Sequence, residues 1–167
     1  MVDGHPRIFV VWEACSVRVF DFLCEEPQIK LKFSDNSGAK WSPGIILSQG
    51  GENYFPTIAA DPASQRLAVA WYTSRSDPLF HNRQDVELVT LDPSTGTVTR
   101  RQVVTAVSNE TEADPVLGGF FIGDYFEDAA DRGTAYIHFN ANYRSIEFLG
   151  EGLPIPQQDN FLIKASQ

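Results

Sequence analysis

The chain has 167 residues, of which 43% are hydrophobic, and a formal net charge of −9. This composition is typical of a globular protein with a buried core, which excludes a disordered chain. The 13 Lys and Arg residues are scattered among 22 Asp and Glu residues, so we exclude a basic phosphate-binding stripe and expect no nucleic-acid partner.

The N-terminal segment shows no targeting signal. Residues 1–6 lack the basic and apolar regions of a signal peptide. No stretch approaches the roughly 18 consecutive apolar residues of a membrane-spanning helix, so we expect no membrane span. The chain is therefore expected to be either intracellular or the later part of a longer precursor, which would be secreted or exposed at the cell surface.

The first predicted unit covers about residues 5–48 and contains three strands. Residues 8–13 and 29–33 are rich in β-branched and aromatic side chains, and residues 44–48 follow a polar turn. Between the first two strands lie Cys15 and Cys24, the only two cysteines. Across a hairpin they could form a disulfide in an oxidising compartment, or they could remain free thiols.

Two further units follow, at about residues 53–105 and 117–167. Glycines and prolines spread along the whole chain favour short strands joined by turns. The second unit has four predicted strands, at residues 54–61, 67–72, 85–91 and 97–104. The third has three, at residues 125–131, 134–139 and 160–164.

The units share a recurring strand with an aromatic residue near its end. Trp12, Trp71 and Phe139 stand 59 and 68 residues apart along the chain. A second similarity links residues 54–61 with residues 125–131, and each of these segments leads through a turn into the aromatic-ended strand. Repeats of this length are typical of β-propeller blades with long loops.

Residues 34–41 of the first unit form a polar turn that resembles a known motif. The sequence Ser-Asp-Asn-Ser-Gly-Ala-Lys-Trp is similar to the Asp box, Ser-x-Asp-x-Gly-x-Thr-Trp, of the sialidase (bacterial neuraminidase repeat) family. The structural positions are Ser34, Asn36, Gly38 and Trp41. A short polar side chain there bonds the turn amides, the glycine takes an unusual backbone conformation, and the tryptophan is expected to pack beneath the turn.

The resemblance implies an all-β chain forming a partial β-propeller of about two to three four-stranded antiparallel blades. Sialidase propellers have six blades around an axis, and this chain supplies fewer than three complete ones. To close a ring it would need further blades or association with another chain.

The resemblance also implies a functional face opposite the Asp box. Arg75 and Arg144 lie just beyond the aromatic-ended strands, in predicted loops from which an arginine can hold a carboxylate with two hydrogen bonds. Together with Tyr143 they are the candidate substrate-binding residues. The alternative is that these arginines pair with acidic residues of the same loops.

Sialidases use a tyrosine nucleophile assisted by a carboxylate, so catalysis would need such a pair. Tyr125 with Glu127 is the nominated pair, because residues two apart on a strand share a side, and Asp124 is the third candidate. The alternative is that Tyr125 packs between blades while Glu127 is solvated.

The leading functional expectation is a sialidase-like segment that binds glycans or secreted proteins on its loop face. One alternative is part of a retaining exo-sialidase, and another is a non-catalytic structural or interaction platform. The histidines and cysteines show no ligand spacing, so we expect no metal and no cofactor.

Overall fold

A computed structural model describes residues 6–19, 23–114, 125–147, 152 and 154–167. In these residues the chain consists of three antiparallel sheets and one short 3-10 turn. The prediction of an all-β chain is confirmed. None of the three sheets, as far as they are described, closes on itself.

Sheet one contains three strands in the order β1-β2-β3. Its first hairpin is longer than predicted, because antiparallel pairing continues as far as Val19 opposite Leu23. Cys15 and Cys24 form a disulfide in this hairpin, with their Cα atoms 5.4 Å apart, so the disulfide alternative is the one observed. The strands are Ile8–Val19 (β1), Leu23–Ser34 (β2) and Ile45–Ile46 (β3).

Sheet two contains the complete four-stranded meander expected of the second unit, in the order β4-β5-β6-β7. A two-residue strand, β8, also pairs with the start of β6 and leads into the 3-10 turn at Thr111–Ala113; neither was predicted. The strands are Asn53–Asp61 (β4), Arg66–Thr73 (β5), Arg83–Leu91 (β6), Val98–Val103 (β7) and Asn109–Glu110 (β8).

Sheet three contains three strands in the order β11-β10-β9. A register shift between Ala141 and Arg144 lets β10 continue through residues that we expected to form a loop. The prediction that Tyr143 and Arg144 are loop residues is therefore wrong. The strands are Glu127–Asp131 (β9), Thr134–Glu147 (β10) and Pro154–Ser166 (β11).

The three sheets pack face to face in chain order, with sheet two in the middle. Its central strands β5 and β6 are buried on both faces, which explains their nearly continuous apolar sequence. The cluster between sheets one and two comprises Ile29, Leu31, Leu47, Leu67, Val69, Trp71, Val89 and Leu91. The cluster between sheets two and three comprises Ala68, Ala70, Tyr72, Val86, Leu88, Ala135, Ile137, Phe139 and Ala141.

The turns β2–β3, β4–β5, β6–β7 and β9–β10 meet at one end of the molecule, which we call the Asp-box end. There the guanidinium of Arg7 holds the carboxylate of Asp35 and donates to the carbonyls of Pro93 and Ser94, at 2.7 and 2.6 Å. Asp61 accepts a hydrogen bond from Gly133 N at 2.6 Å. These contacts tie the turns of all three sheets together. The opposite end, with the β5–β6 connection and residues 104–110 after β7, is the loop end.

Candidate functional site

The Asp-box-like turn is held by its own polar side chains. The hydroxyl of Ser34 donates to Asn36 Oδ1 at 3.0 Å and accepts from Gly38 N at 2.9 Å. Asn36 Oδ1 also accepts from Lys40 N at 2.7 Å. Gly38 has φ +88°, in the left-handed region that favours glycine. These bonds are internal to the turn, so its role in this chain is structural.

Trp41 packs less deeply than expected. Its side chain is 41% exposed, and its Cζ2 atom lies 3.7 Å from the point where a Cβ on Gly38 would stand. The ring therefore covers one side of the turn instead of filling space beneath it.

At the loop end a groove of about 740 Å³ opens between the end of sheet two and sheet three. Its walls combine aromatic and aliphatic side chains with a few polar groups, as is typical of ligand-binding grooves. The aromatic members are Phe139, Tyr143 and Phe161, and the polar members are Ser108, Glu110 and Asn142.

Tyr143 is the part-exposed ring of this groove. Its ring centroid lies 5.1 Å from that of Phe161 and 6.3 Å from that of Phe139. Its hydroxyl donates to the carbonyl of Val107 at 2.6 Å. Burial, with a smaller contribution from the carboxylate of Asp85, raises the pKa of Tyr143 to about 12. The ring is thus fixed in place by packing and by one hydrogen bond, and stays neutral at physiological pH.

Asn142 and Asn109 order the groove wall next to Tyr143. Asn142 Oδ1 accepts from Glu110 N at 3.3 Å, and its Nδ2 donates to the carbonyl of Glu110. Asn109 Oδ1 accepts from Asn142 N at 2.7 Å. These bonds join the short strand β8 to β10, so the wall belongs to both sheets.

Arg144 follows Tyr143 on β10 and is already paired with an acid. Its Nη1 lies 3.0 Å from Asp159 Oδ2, and both side chains are exposed to solvent. Its guanidinium carbon lies 5.9 Å from the centroid of the Phe161 ring. For this arginine the observed arrangement matches the alternative of pairing with a nearby acid.

Arg75 lies apart from this groove, at the junction of sheets one and two. Its Nη2 is 3.3 Å from Glu87 Oε1, and Arg101 Nη1 approaches the same oxygen at 2.7 Å. Glu87 is fully buried, so it needs these cationic partners. Arg75 is thus engaged by a carboxylate of its own chain, and the structure does not bring it together with Arg144.

The nominated catalytic residues lie near the start of β9. The side chain of Tyr125 is 70% exposed, and Glu127 is exposed as well. Asp124 lies outside the described residues. Phe126, between them, packs against Tyr72 with the two ring centroids 4.7 Å apart. The aromatic anchor of this segment is therefore Phe126, while Tyr125 points away from that contact.

Sequence reasoning missed Phe161 and Asn142, which line the groove, and the buried acid Glu87. Phe161 was assigned only to a strand, and its position opposite Phe139 became visible through the register of β10 with β11. A signal for Glu87 was present, since a lone acid inside the apolar run of β6 is unusual and demands a partner.

No protein-family model matches this chain, and no curated protein matches it at a significant level. The resemblance to sialidases therefore rests only on the sequence of the Asp-box-like turn and on the strand repeats. The described residues contain no helix long and apolar enough to cross a membrane. In the same part of the chain, no group of three or more His, Cys, Asp or Glu residues is placed to hold a metal ion.

Proposed function

We propose that this chain is a sialidase-like propeller segment that binds a glycan in the loop-end groove. The observation that carries the proposal is the fixed, part-exposed ring of Tyr143 among the polar groups of the groove wall. One face of a pyranose ring is apolar and stacks on an aromatic side chain, while its hydroxyls need hydrogen-bond partners at the edges.

The state of the two arginines favours a neutral sugar over an acidic one. Arg144 faces Asp159, and Arg75 faces Glu87, so an anionic ligand would have to displace a carboxylate of the chain from either of them. The net charge of −9 also repels anions at long range. A neutral glycan neither has to displace these carboxylates nor is repelled by the net negative charge.

Two features support the wider proposal of a secreted propeller segment. Three antiparallel sheets stack face to face in chain order, and the β4–β5 and β9–β10 turns meet at one end, an arrangement compatible with consecutive propeller blades. The Cys15–Cys24 disulfide is a bond that persists in oxidising compartments, such as the outside of a cell.

A glycan array followed by titration of the best sugar tests this function. We expect Tyr143→Ala to weaken binding at least about tenfold, because it removes the stacking surface. Tyr143→Phe keeps the ring and should bind within a few-fold of the wild type. Tyr136→Ala, on β10 but outside the residues that line the groove, is the matched control and should leave affinity unchanged.

Two outcomes would contradict the proposal. One is a chain that binds no sugar on the array, and the other is binding that survives Tyr143→Ala. A fluorogenic sialoside assay covers the enzyme alternative, since turnover that is lost in both Tyr125→Phe and Arg144→Ala would assign the chain to the exo-sialidases.

A further inference from the structure

Each sheet contains one strand with the recurring aromatic residue, namely β1 with Trp12, β5 with Trp71 and β10 with Phe139. In sheet two, β5 pairs with β4 on one side and with β6 on the other, and in sheet three β10 pairs with β9 and with β11. Within the described residues, β1 pairs only with β2. No described strand therefore takes, beside β1, the position that β4 and β9 hold in the other two sheets.

The pairing of β2 identifies the backbone groups that β1 presents at this edge. The carbonyls of Ile29 and Phe33 in β2 each accept a hydrogen bond at 2.8 Å from an amide of the segment that contains β3, so they point away from β1. The residues of β1 opposite them are Glu13 and Phe9. In an antiparallel pair, opposite residues alternate between bonding each other and facing outward. The N–H and C=O groups of Phe9, Val11 and Glu13 therefore point to the open edge.

The same positions of β5 show what such groups bind. Counted from the recurring aromatic residue, Phe9 and Val11 of β1 correspond to Ala68 and Ala70 of β5. Both alanines pair with residues of β4. The molecule thus already contains an example of the segment that fits such an edge, which is an extended antiparallel strand.

β1 also lacks the features that interrupt two other edge strands of the molecule. β4 contains Pro56 and a register shift, and β11 contains Pro154 and Pro156. β1 has 12 residues and no proline, and its register with β2 is unbroken from Ile8 to Glu13. A long edge strand without a protective feature is a template for a further strand.

The surface next to this edge determines which side chains an added strand needs. The carboxylate of Glu13 accepts a hydrogen bond from the amide of Phe55, so β4 passes beside β1. Toward the Asp-box end, a cavity of about 690 Å³ is lined by both strands, and its charged residues Arg7 and Asp61 are bound by other groups of the chain. The apolar residues of its lining include Phe9, Ala60, Leu67 and Leu91. Side chains that point from an added strand toward sheet two therefore meet apolar surface.

We propose that the open edge of β1 binds an extended segment of another protein, which adds to sheet one as a fourth strand. The segment has apolar side chains at alternate positions, and it has no proline where its N–H groups pair with β1. It has no excess of acidic residues, because the net charge of −9 on this chain would repel them. The edge is separate from the loop-end groove, so this binding does not depend on the glycan.

A peptide that copies β4 is the probe. The capped, fluorescein-labelled peptide has the sequence of residues 53–60, which contains no charged side chain, and fluorescence anisotropy should show saturable binding to the wild type. A matched peptide with prolines in place of Thr57 and Ala59 lacks two pairing N–H groups and should bind at least about tenfold more weakly. Equal binding of the two peptides, or no binding of either, would overturn the proposal.

A change in β1 tests the same contact from the protein side. Val11→Pro removes an outward N–H and leaves the N–H groups that pair with β2, so it should weaken binding of the probe at least about tenfold. Val11→Thr keeps the N–H and the shape of the side chain; it is the matched control and should bind within a few-fold of the wild type. Circular dichroism checks that both variants fold. If Val11→Pro does not fold, the two peptides still decide the question.

Amide hydrogen exchange measured by NMR locates the bound peptide. In the wild type alone, the amides of Phe9, Val11 and Glu13 should exchange fast and those of Val10 and Trp12 slowly, because the latter two point to β2. The probe should slow the three fast amides at least about tenfold. Binding that leaves them fast would mean that the peptide sits elsewhere. Slow exchange of the three in a dimer of the wild type alone would mean that a second copy occupies the edge, and either result overturns the proposal.

Discussion

Asp128 is a carboxyl group held in an apolar, inter-sheet position. It lies on β9 and accepts a hydrogen bond from the hydroxyl of Thr57 on β4 at 2.8 Å. Its second oxygen is buried and has no hydrogen-bond partner among the described residues. Burial is the main cause that raises the pKa of Asp128 to about 7, and hydrogen bonds only partly oppose it. The folded chain therefore favours the protonated acid.

The sign of this shift gives a pH dependence of stability. The pKa in the folded state lies above the value of 3.8 for an unperturbed aspartic acid, so the contribution of Asp128 to the free energy of unfolding is fully present below about pH 4. It is lost as pH rises through 7, by up to about 4 kcal/mol. Asp128→Asn cannot ionise and should remove this loss.

Urea unfolding at pH 5 and pH 8 measures the effect. Between pH 5 and pH 8 the free energy of unfolding should fall more for the wild type than for Asp128→Asn. This holds even if the two proteins already differ in stability at pH 5. Thr57→Val, which removes the hydroxyl donor and keeps the acid, should retain a pH dependence. Parallel pH profiles for the wild type and Asp128→Asn would contradict the prediction.

At the scale of single residues, the sequence predicted the turn better than the site. Ser34, Asn36 and Gly38 act through bonds within a few residues of each other, so local spacing was sufficient to predict their role. Arg75 and Arg144 depend on partners brought in by other strands. Their pairing with Glu87 and Asp159 is set by sheet packing and hairpin register, which local spacing does not encode.

Among the elements, β11 is the edge strand of sheet three, and much of its edge is blocked. Gln158 N donates to Asp114 Oδ2 at 3.0 Å, and Asn160 N donates to Asp159 Oδ1 at 2.8 Å. The N–H groups of Gln158 and Asn160 point away from β10, and on a strand the N–H groups of alternate residues point to the same side. Pro154 and Pro156 occupy earlier positions of the same alternation, where no N–H is needed for pairing with β10. Such features oppose the addition of foreign strands.

Restoring amides at the edge should promote aggregation. In the double variant Pro154→Thr and Pro156→Thr, two outward N–H groups become available for pairing, while the ladder to β10 is untouched. We expect a native circular dichroism spectrum together with faster growth of thioflavin fluorescence, by several-fold, at raised temperature. Pro62→Thr, in the exposed β4–β5 turn, is the control; equal aggregation of both proteins would refute the role of the edge.

The strands were predictable because their β-branched and aromatic runs are local signals, whereas their lengths were not. Pairing in β1–β2 and in β10–β11 runs on through polar residues, since a long hairpin stabilises residues of modest strand preference. The bulge near Asn142 keeps β10 in register with β11 and carries Tyr143 to the groove. Nothing in the sequence around residue 142 marks that irregularity.

On the scale of the whole molecule, the hydroxyl of Tyr72 is one of the groups that join sheet two to sheet three. Tyr72 Oη donates to the carbonyl of Asn140 at 2.9 Å and accepts from its amide at 2.8 Å. Tyr72 is buried, and its ring stacks on Tyr54 with the centroids 5.5 Å apart. The end of sheet three is thereby fixed against sheet two by two hydrogen bonds, in a place that water does not reach.

The variant Tyr72→Phe measures how much the two hydrogen bonds of the Tyr72 hydroxyl contribute to the free energy of unfolding. The ring remains and fills the same volume, but the amide and carbonyl of Asn140 lose their partner in a buried place. We expect a loss of about 2 kcal/mol in the free energy of unfolding. Tyr136→Phe, on a part-exposed face, is the control and should change stability by less than about 0.5 kcal/mol. An unchanged unfolding midpoint in Tyr72→Phe would show that the tie contributes nothing.

The disulfide lies outside both apolar clusters, and this has a practical consequence for producing the protein. A bacterial cytoplasm keeps thiols reduced, so protein made there would lack the disulfide in the first hairpin. The two apolar clusters between the sheets would still form. Such a preparation would look folded by spectroscopy and still be heterogeneous near Cys15 and Cys24. Export to the periplasm, or oxidative refolding, is therefore the better route to a uniform sample.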